Sequence, residues 1–180
     1  MTTRLLAIAL LASVSTEAGE IANRLKYISP PKESPCAEIG HAISDSTIMG
    51  VSLNNPVNIR YSPTNSWKGQ TGKEKGFVKF DSHDNGYRAA YILLKNYIRK
   101  YDCNTLTKIA YRFAPPCENN TQDYIQDISN HSGVAPHEIL QSTDSESLAK
   151  IIAAMTLRET GITVDWKEIH RKIQNQWTKS

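Results

Sequence analysis

The stretch TDSESLAKIIAAMTLRETG, residues 143–161, decides the fold class. Thr143 and Glu146 have the spacing of a capping box, in which a hydroxyl and a carboxylate satisfy the first unpaired N–H groups of a helix. Leu148, Ile151, Ile152 and Met155 then recur at helical spacing and predict one apolar stripe, with Gly161 as the stop. At about 100° per residue, Glu159 points close to Ile152 and Met155. Its carboxyl group is therefore expected within the apolar stripe and at the negative end of the helix dipole, and both conditions favour the neutral acid. An acid still protonated near neutral pH is what glycosidic bond cleavage needs as a proton donor. The competing reading of Glu159 is a structural ion pair with Arg158, Arg112 or Lys167.

The same period recurs on both sides of this helix. Tyr87, Ala90, Tyr91, Leu94, Tyr97, Ile98 and Tyr101 follow the capping candidates Ser82 and Asp84. Leu106, Ile109, Ala110 and Phe113 repeat the stripe up to Pro115-Pro116, and Tyr124, Ile125 and Ile128 follow Asn120 and end at Gly133. Trp166, Ile169, Ile173 and Trp177 follow the cap Asp165. The expected class is mainly α. Two β-like runs, Asn58–Tyr61 and Phe77–Phe80, separated by Gly69, Gly72 and Gly76, predict a small hairpin wing.

The start of the chain has a different character. Met1 to Arg4 are positive, Leu5 to Val14 are apolar, and small residues Thr16 and Ala18 follow, which is the pattern of a secretory signal over 1–18. That run is too short for a permanent span, so no stable membrane segment is expected after cleavage, and the expected location is periplasmic or secreted. Pro30, Pro31 and Pro35 interrupt residues 19–49, which read as an approach or linker with one short helix over 20–27. The expected domain then runs over 50–162, with an amphipathic helix in 163–180.

Composition narrows the function. A net charge of +3 over 180 residues, without a dense Lys/Arg block, gives no indication of nucleic acid. It suits an anionic polymer such as a cell wall, and equally an ordinary solvated surface. His41, His83, His131, His137 and His170 are scattered and the cysteines fit no zinc spacing, so neither metal nor cofactor is expected. Three cysteines cannot all pair within one chain. Cys103 and Cys117 bracket one helix and its Pro-Pro exit and are the expected bridge, leaving Cys36 unpaired or intermolecular. There is no Gly-x-Ser-x-Gly elbow and no Gly-rich phosphate loop.

Two further segments could carry chemistry. Asn54-Asn55-Pro56-Val57-Asn58-Ile59-Arg60-Tyr61, followed by Trp67, Gly69 and Gln70, combines amides that read sugar hydroxyls with rings that stack on sugar faces. The alternative is a turn in which Asn55 and Asn58 satisfy their own backbone. Residues 112–121, from Arg112 through Pro115-Pro116 to Glu118 and Asn120, read as a rigid elbow forming a cleft wall, or as a helix stop followed by a cap.

Taken together, N-N-P-x-N-I-R-Y, W-x-G-Q, F-x-x-F-D-S, G-x-R-A, L-L-x-N-Y, N-T-L, A-P-P-x-E-N-N-T and Y-I, in that order over roughly residues 50–162, resemble the small phage and prophage virion proteins of structural or lytic, muramidase-like type. Those in turn are similar to lysozyme-like glucosaminidases and lytic transglycosylases, which carry Glu-Ser-Gly at a helix end and then an Asn-Asn turn. Here Glu159-Thr160-Gly161 and Asn54-Asn55 occur in reverse order, which a circularly permuted lysozyme-like domain would reconcile. Val57 stands where the resemblance leads one to expect Gly, Arg158 and Thr160 where it leads to His and Asn, and Phe113 where it leads to Trp.

The resemblance implies cleavage of peptidoglycan glycan strands with Glu159 as the catalytic acid. Glu118, Asp84 and Asp81 are the candidate second carboxylates, and Asn54, Asn55, Asn58, Tyr61, Trp67, Arg112 and Asn120 the candidate glycan ligands. The alternative is a wall-binding or phage-derived structural protein of the same fold without catalysis.

Overall fold

In the computed structural model the described residues are 46–177. The signal-like segment, the linker with its short helix, and Cys36 lie outside them. The elements are α1 (Ser46–Ser52), β1 (Gln70–Glu74), β2 (Phe77–Phe80), α2 (His83–Tyr101), α3 (Leu106–Phe113), α4 (Thr121–Ser132), α5 (Ser145–Thr160) and α6 (Trp166–Lys172), which runs on into a π-helical turn, Ile173–Trp177. The protein is mainly helical with one two-stranded antiparallel sheet.

Side-chain caps set the helix starts. The Ser82 hydroxyl accepts from the Asn85 N–H, Thr105 from Lys108, Asn120 from Asp123 and Asp165 from Lys167. Helix α5 corrects one expectation: its cap is Asp144, which accepts from the Ser147 N–H, and not Thr143. A carboxylate at that position also meets the positive end of the helix dipole.

Helix α5 occupies the middle of the core. Leu148, Ala149, Ile151 and Ile152 have no exposed surface, so its apolar face is wider than a single stripe. Leu94 of α2, Ile109 of α3, Ile128 of α4, and Val78 and Phe80 of β2 pack in the same core. Each large side chain buried in this way contributes roughly 1.5–3 kcal/mol.

Two boundaries move. The expected C-terminal helix is part of the domain, because Ile169, Ile173 and Trp177 lie in this core. The residues before 50 are not all linker, because α1 begins at Ser46 and packs on α5. The approach is close: a Cβ on Gly50 would stand 2.8 Å from Thr160 Cγ2 and 2.9 Å from Asn58 Oδ1. All the described residues belong to one unit, and among them no helix is long and apolar enough to cross a membrane.

The wing also differs from expectation. The strand facing Phe77–Phe80 is Gln70–Glu74, paired Glu74 to Phe77 through Gln70 to Phe80 around a two-residue turn, Lys75-Gly76, with φ of 47° and 85°. Asn58–Tyr61 only flanks this hairpin, through Val78 N–H to Ile59 O at 2.9 Å and Tyr61 N–H to Gly76 O at 2.8 Å. It forms no strand because Asn58 is left-handed at φ 52° and the Ile59 N–H is already taken by the Asn55 side chain at 2.8 Å.

Candidate functional site

Glu159 is the penultimate residue of α5. Gly161 ends the helix in the left-handed region at φ 70°, a conformation open to glycine without strain, and its N–H bonds Leu157 O. On the inner side, the Thr160 hydroxyl donates to Thr156 O at 2.7 Å and Thr156 to Ile152 O at 2.9 Å. The helix end is thereby tied down, and the half-buried Glu159 carboxylate is left at its rim.

Two elements converge on that carboxylate. From the turn before the wing, Asn58 Nδ2 donates to Glu159 Oε2 at 3.0 Å. From α4, the buried Tyr124 hydroxyl, which has no close hydrogen-bond partner, faces it as a longer-range donor. Burial, together with the Glu159 charge, pushes the Tyr124 phenol well above its ordinary range. Burial is also the main cause that raises the Glu159 carboxyl above the usual carboxylate range, against Asn58, Tyr124 and the charges of Arg158 and Arg60.

The ion pairs of the competing reading of Glu159 do not form. Arg158 turns to Asp127 on α4 and lies 5.8 Å from the Tyr124 ring centroid. Arg112 stacks on Tyr101 at 3.6 Å and Tyr97 at 5.1 Å, and burial pushes the Tyr97 phenol up to about 12. Lys167 lies over Trp166 at 5.9 Å.

The candidate second carboxylates separate cleanly. Asp84 is paired with Lys172, joining α2 to α6. Asp81 is exposed, and bonds from Asn85 and Ser82 hold it below its ordinary value. Glu118 is different. Its Oε2 takes Arg60 Nη2 at 2.6 Å, its side chain is only 12% exposed, and its Oε1 is buried without a hydrogen-bond partner.

The candidate glycan ligands separate as sharply. Asn54, at φ 52°, donates to Phe80 O at 3.1 Å. Asn55 has no exposed surface: its amide donates to Ile59 O and Val78 O, both at 2.9 Å, and its oxygen accepts from Ile59 N–H. Asn120 caps α4. Tyr61 carries Lys73 over its ring at 4.7 Å, and the Trp67 indole N–H is buried without a partner. Of the seven, Asn58 alone bonds Glu159.

Two site residues escaped the sequence reading. Tyr124 reads as one more core residue beside Ile125 and Ile128, and nothing local marks its hydroxyl. Arg60 stands within the asparagine-rich segment, and its signal was the pair of polar residues flanking apolar Ile59. Val57 needs no glycine: it is fully buried, and the left-handed residues are its neighbours Asn54 and Asn58.

The expected bridge between Cys103 and Cys117 is absent. Cys103 is a free, buried thiol whose Sγ lies 3.5 Å from Tyr101 O, and burial pushes it up, while Cys117 is disulfide-bonded elsewhere. Cys103 belongs to the core at the end of α2 and not to the Pro-Pro turn that carries Cys117. Among the described residues no three His, Cys, Asp or Glu gather as metal ligands would.

The arrangement can therefore hold a carboxylic proton in a sheltered place, with an amide and a phenol to receive the charge left when that proton is donated. No protein-family model matches the chain. It is 30% identical over 116 residues to Protein P5 of Pseudoalteromonas phage PM2, a match that covers 62% of this chain and 71% of that protein.

Proposed function

The chain belongs to the family of phage PM2 Protein P5, and from that premise we propose that it cleaves the glycan strands of peptidoglycan, with Glu159 as general acid. One observation carries this reading: a half-buried carboxyl at a helix end, raised above its usual range, with no cation paired to it and an Asn amide bonded to one oxygen. A structural glutamate in such a place would be matched with Arg or Lys, because an unmatched buried charge is costly. Protonated, Glu159 donates to the leaving glycosidic oxygen. The resulting carboxylate is received by Asn58 and Tyr124.

A mainly helical core with a two-stranded wing is what a lysozyme-like, circularly permuted domain would require, and the signal-like start of the chain fits action in the periplasm or outside the cell. The polymer would be peptidoglycan, held through the Asn58 side of the site. The test is a zymogram on purified peptidoglycan, with mass analysis of the released fragments, for wild type and Glu159→Gln. Lysis by wild type and none by the folded variant is the expected result. Absence of lysis by wild type, with retention on the insoluble wall, would favour the wall-binding or structural role instead.

A further inference from the structure

Resting on the reading of Glu159 as general acid, we infer that Glu118, positioned by Arg60, is the second catalytic carboxylate, and that the bond is broken by water and not by a hydroxyl of the substrate. The geometry begins with Asn58-Ile59-Arg60. Ile59 is buried in the core, and the two side chains flanking it each hold one carboxylate: Asn58 takes Glu159 at 3.0 Å and Arg60 takes Glu118 at 2.6 Å. One short segment thus joins two acids that are 41 residues apart in sequence, as their numbers show, with no direct bond between them. Arg60 also acts on Glu159 through its charge.

The Glu118 side chain is held on a stiff support. Its N–H and that of Asn119 both bond Pro115 O, at 3.0 and 3.1 Å, and the Thr121 hydroxyl closes the turn on Ala114 O at 2.7 Å. Cys117 beside it is disulfide-bonded. With Oε2 committed to Arg60, the spare lone pairs are those of Oε1, which is buried and takes no donor from the protein. A buried carboxylate oxygen calls for a donor, and a water or a sugar hydroxyl is the kind of group that supplies one. Asp81 and Asp84 offer no comparable atom, being bonded to Asn85 and Ser82 or paired with Lys172.

In the step that follows, Glu118 takes a proton from water as the water oxygen bonds the anomeric carbon. The anomeric C–O bond breaks, its electron pair goes to the leaving oxygen, and that oxygen takes the proton of Glu159. Glu118 ends protonated and Glu159 ionised, and one exchange with solvent restores both. An inverting hydrolase works in this way, with its water held between an acid and a base.

The experiment digests purified peptidoglycan in ¹⁸O-water. Wild type should give reducing ends carrying one ¹⁸O per cut, with no anhydro ends. Glu118→Gln should keep its melting temperature within a few degrees and lose at least about 10²-fold in kcat. In Glu118→Gly, added azide should restore turnover and yield a glycosyl azide, a rescue that a merely structural Arg60–Glu118 pair would not show. Arg60→Lys should retain more kcat than Arg60→Gln, with KM little changed in both. Anhydro products from wild type, or a folded Glu118→Gln with full activity beside an inactive Glu159→Gln, would overturn the role of Glu118 and leave that of Glu159 standing. Full activity in Glu159→Gln, or no cleavage by wild type, would overturn both.

Discussion

At the end of α5 the backbone obeys its neighbours: Gly161 turns the chain, and Thr160 and Thr156 bond back one helical turn each. In the turn Asn54–Arg60 the backbone instead depends on groups far away in sequence, and three copies of the same residue do three different jobs. Asn54 reaches Phe80, Asn55 ties Ile59 to Val78, and Asn58 reaches Glu159. The contrast teaches that a helix end can present a chemical group from local rules alone. The partner of that group is set by which amide the tertiary fold leaves facing it.

The contrast breaks most directly at Glu159. Glu159→Gln should lower glycan cleavage by about 10²–10⁴-fold or more in a turbidity assay, since an amide cannot donate the carboxylic proton. The melting temperature should move the other way. The folded-state pKa is raised, so the stability tied to the proton is present at acid pH and lost as pH rises through that pKa. Glu159→Gln should therefore melt at or above wild type at neutral pH, and the difference should close as the pH falls below the ordinary glutamate range. A variant that melts lower at neutral pH would show that the carboxylate is structural.

Asn55→Ala tests the other side of the contrast. It removes three buried hydrogen bonds and leaves backbone groups unpaired, so unfolding in denaturant should show a loss of roughly 3–5 kcal/mol. A loss below about 1 kcal/mol would make Asn55 no more structural than its neighbours. Where the two regions touch, Gly50→Ala should cost about 1–3 kcal/mol through overpacking against Thr160 and Asn58, and should lower activity with it. Stability lost without any change in activity would separate the two regions.

The smallest effect sharpens the contrast. Asn58→Gly keeps a residue at ease at φ 52° and removes only the amide. The Asn58 bond favours the charged form of Glu159, so its loss raises that pKa further. The alkaline limb of the pH–activity profile should shift upward, because the acid stays protonated to higher pH, with little change in melting temperature. A downward shift would assign Asn58 another role.

Much of this was legible in the chain. The stripes of α2, α3, α4 and α5, and the capping residues Ser82, Asn120 and Asp165, lie within a few residues of what they act on. So does the pull of burial on Glu159. Strand β1 was not legible, because Gln70–Glu74 has no apolar alternation and gains its place only by pairing with Phe77–Phe80. Nor was α1, a seven-residue helix whose small Gly50 matters for what it lets approach. The cysteines misled because spacing along the chain says nothing of which thiol faces the core.

What the sequence determined by itself is the helices from α2 onward and a carboxyl group at the end of one of them. Helical hydrogen bonds, caps and stripes close within about four residues, so the residues that decide them are adjacent. Only the tertiary structure decided that Asn58 meets Glu159 across 101 residues and Arg60 meets Glu118 across 58. Such pairs form where packing of the shared core brings two segments together, and no local pattern encodes which polar side chain will then be left at the junction.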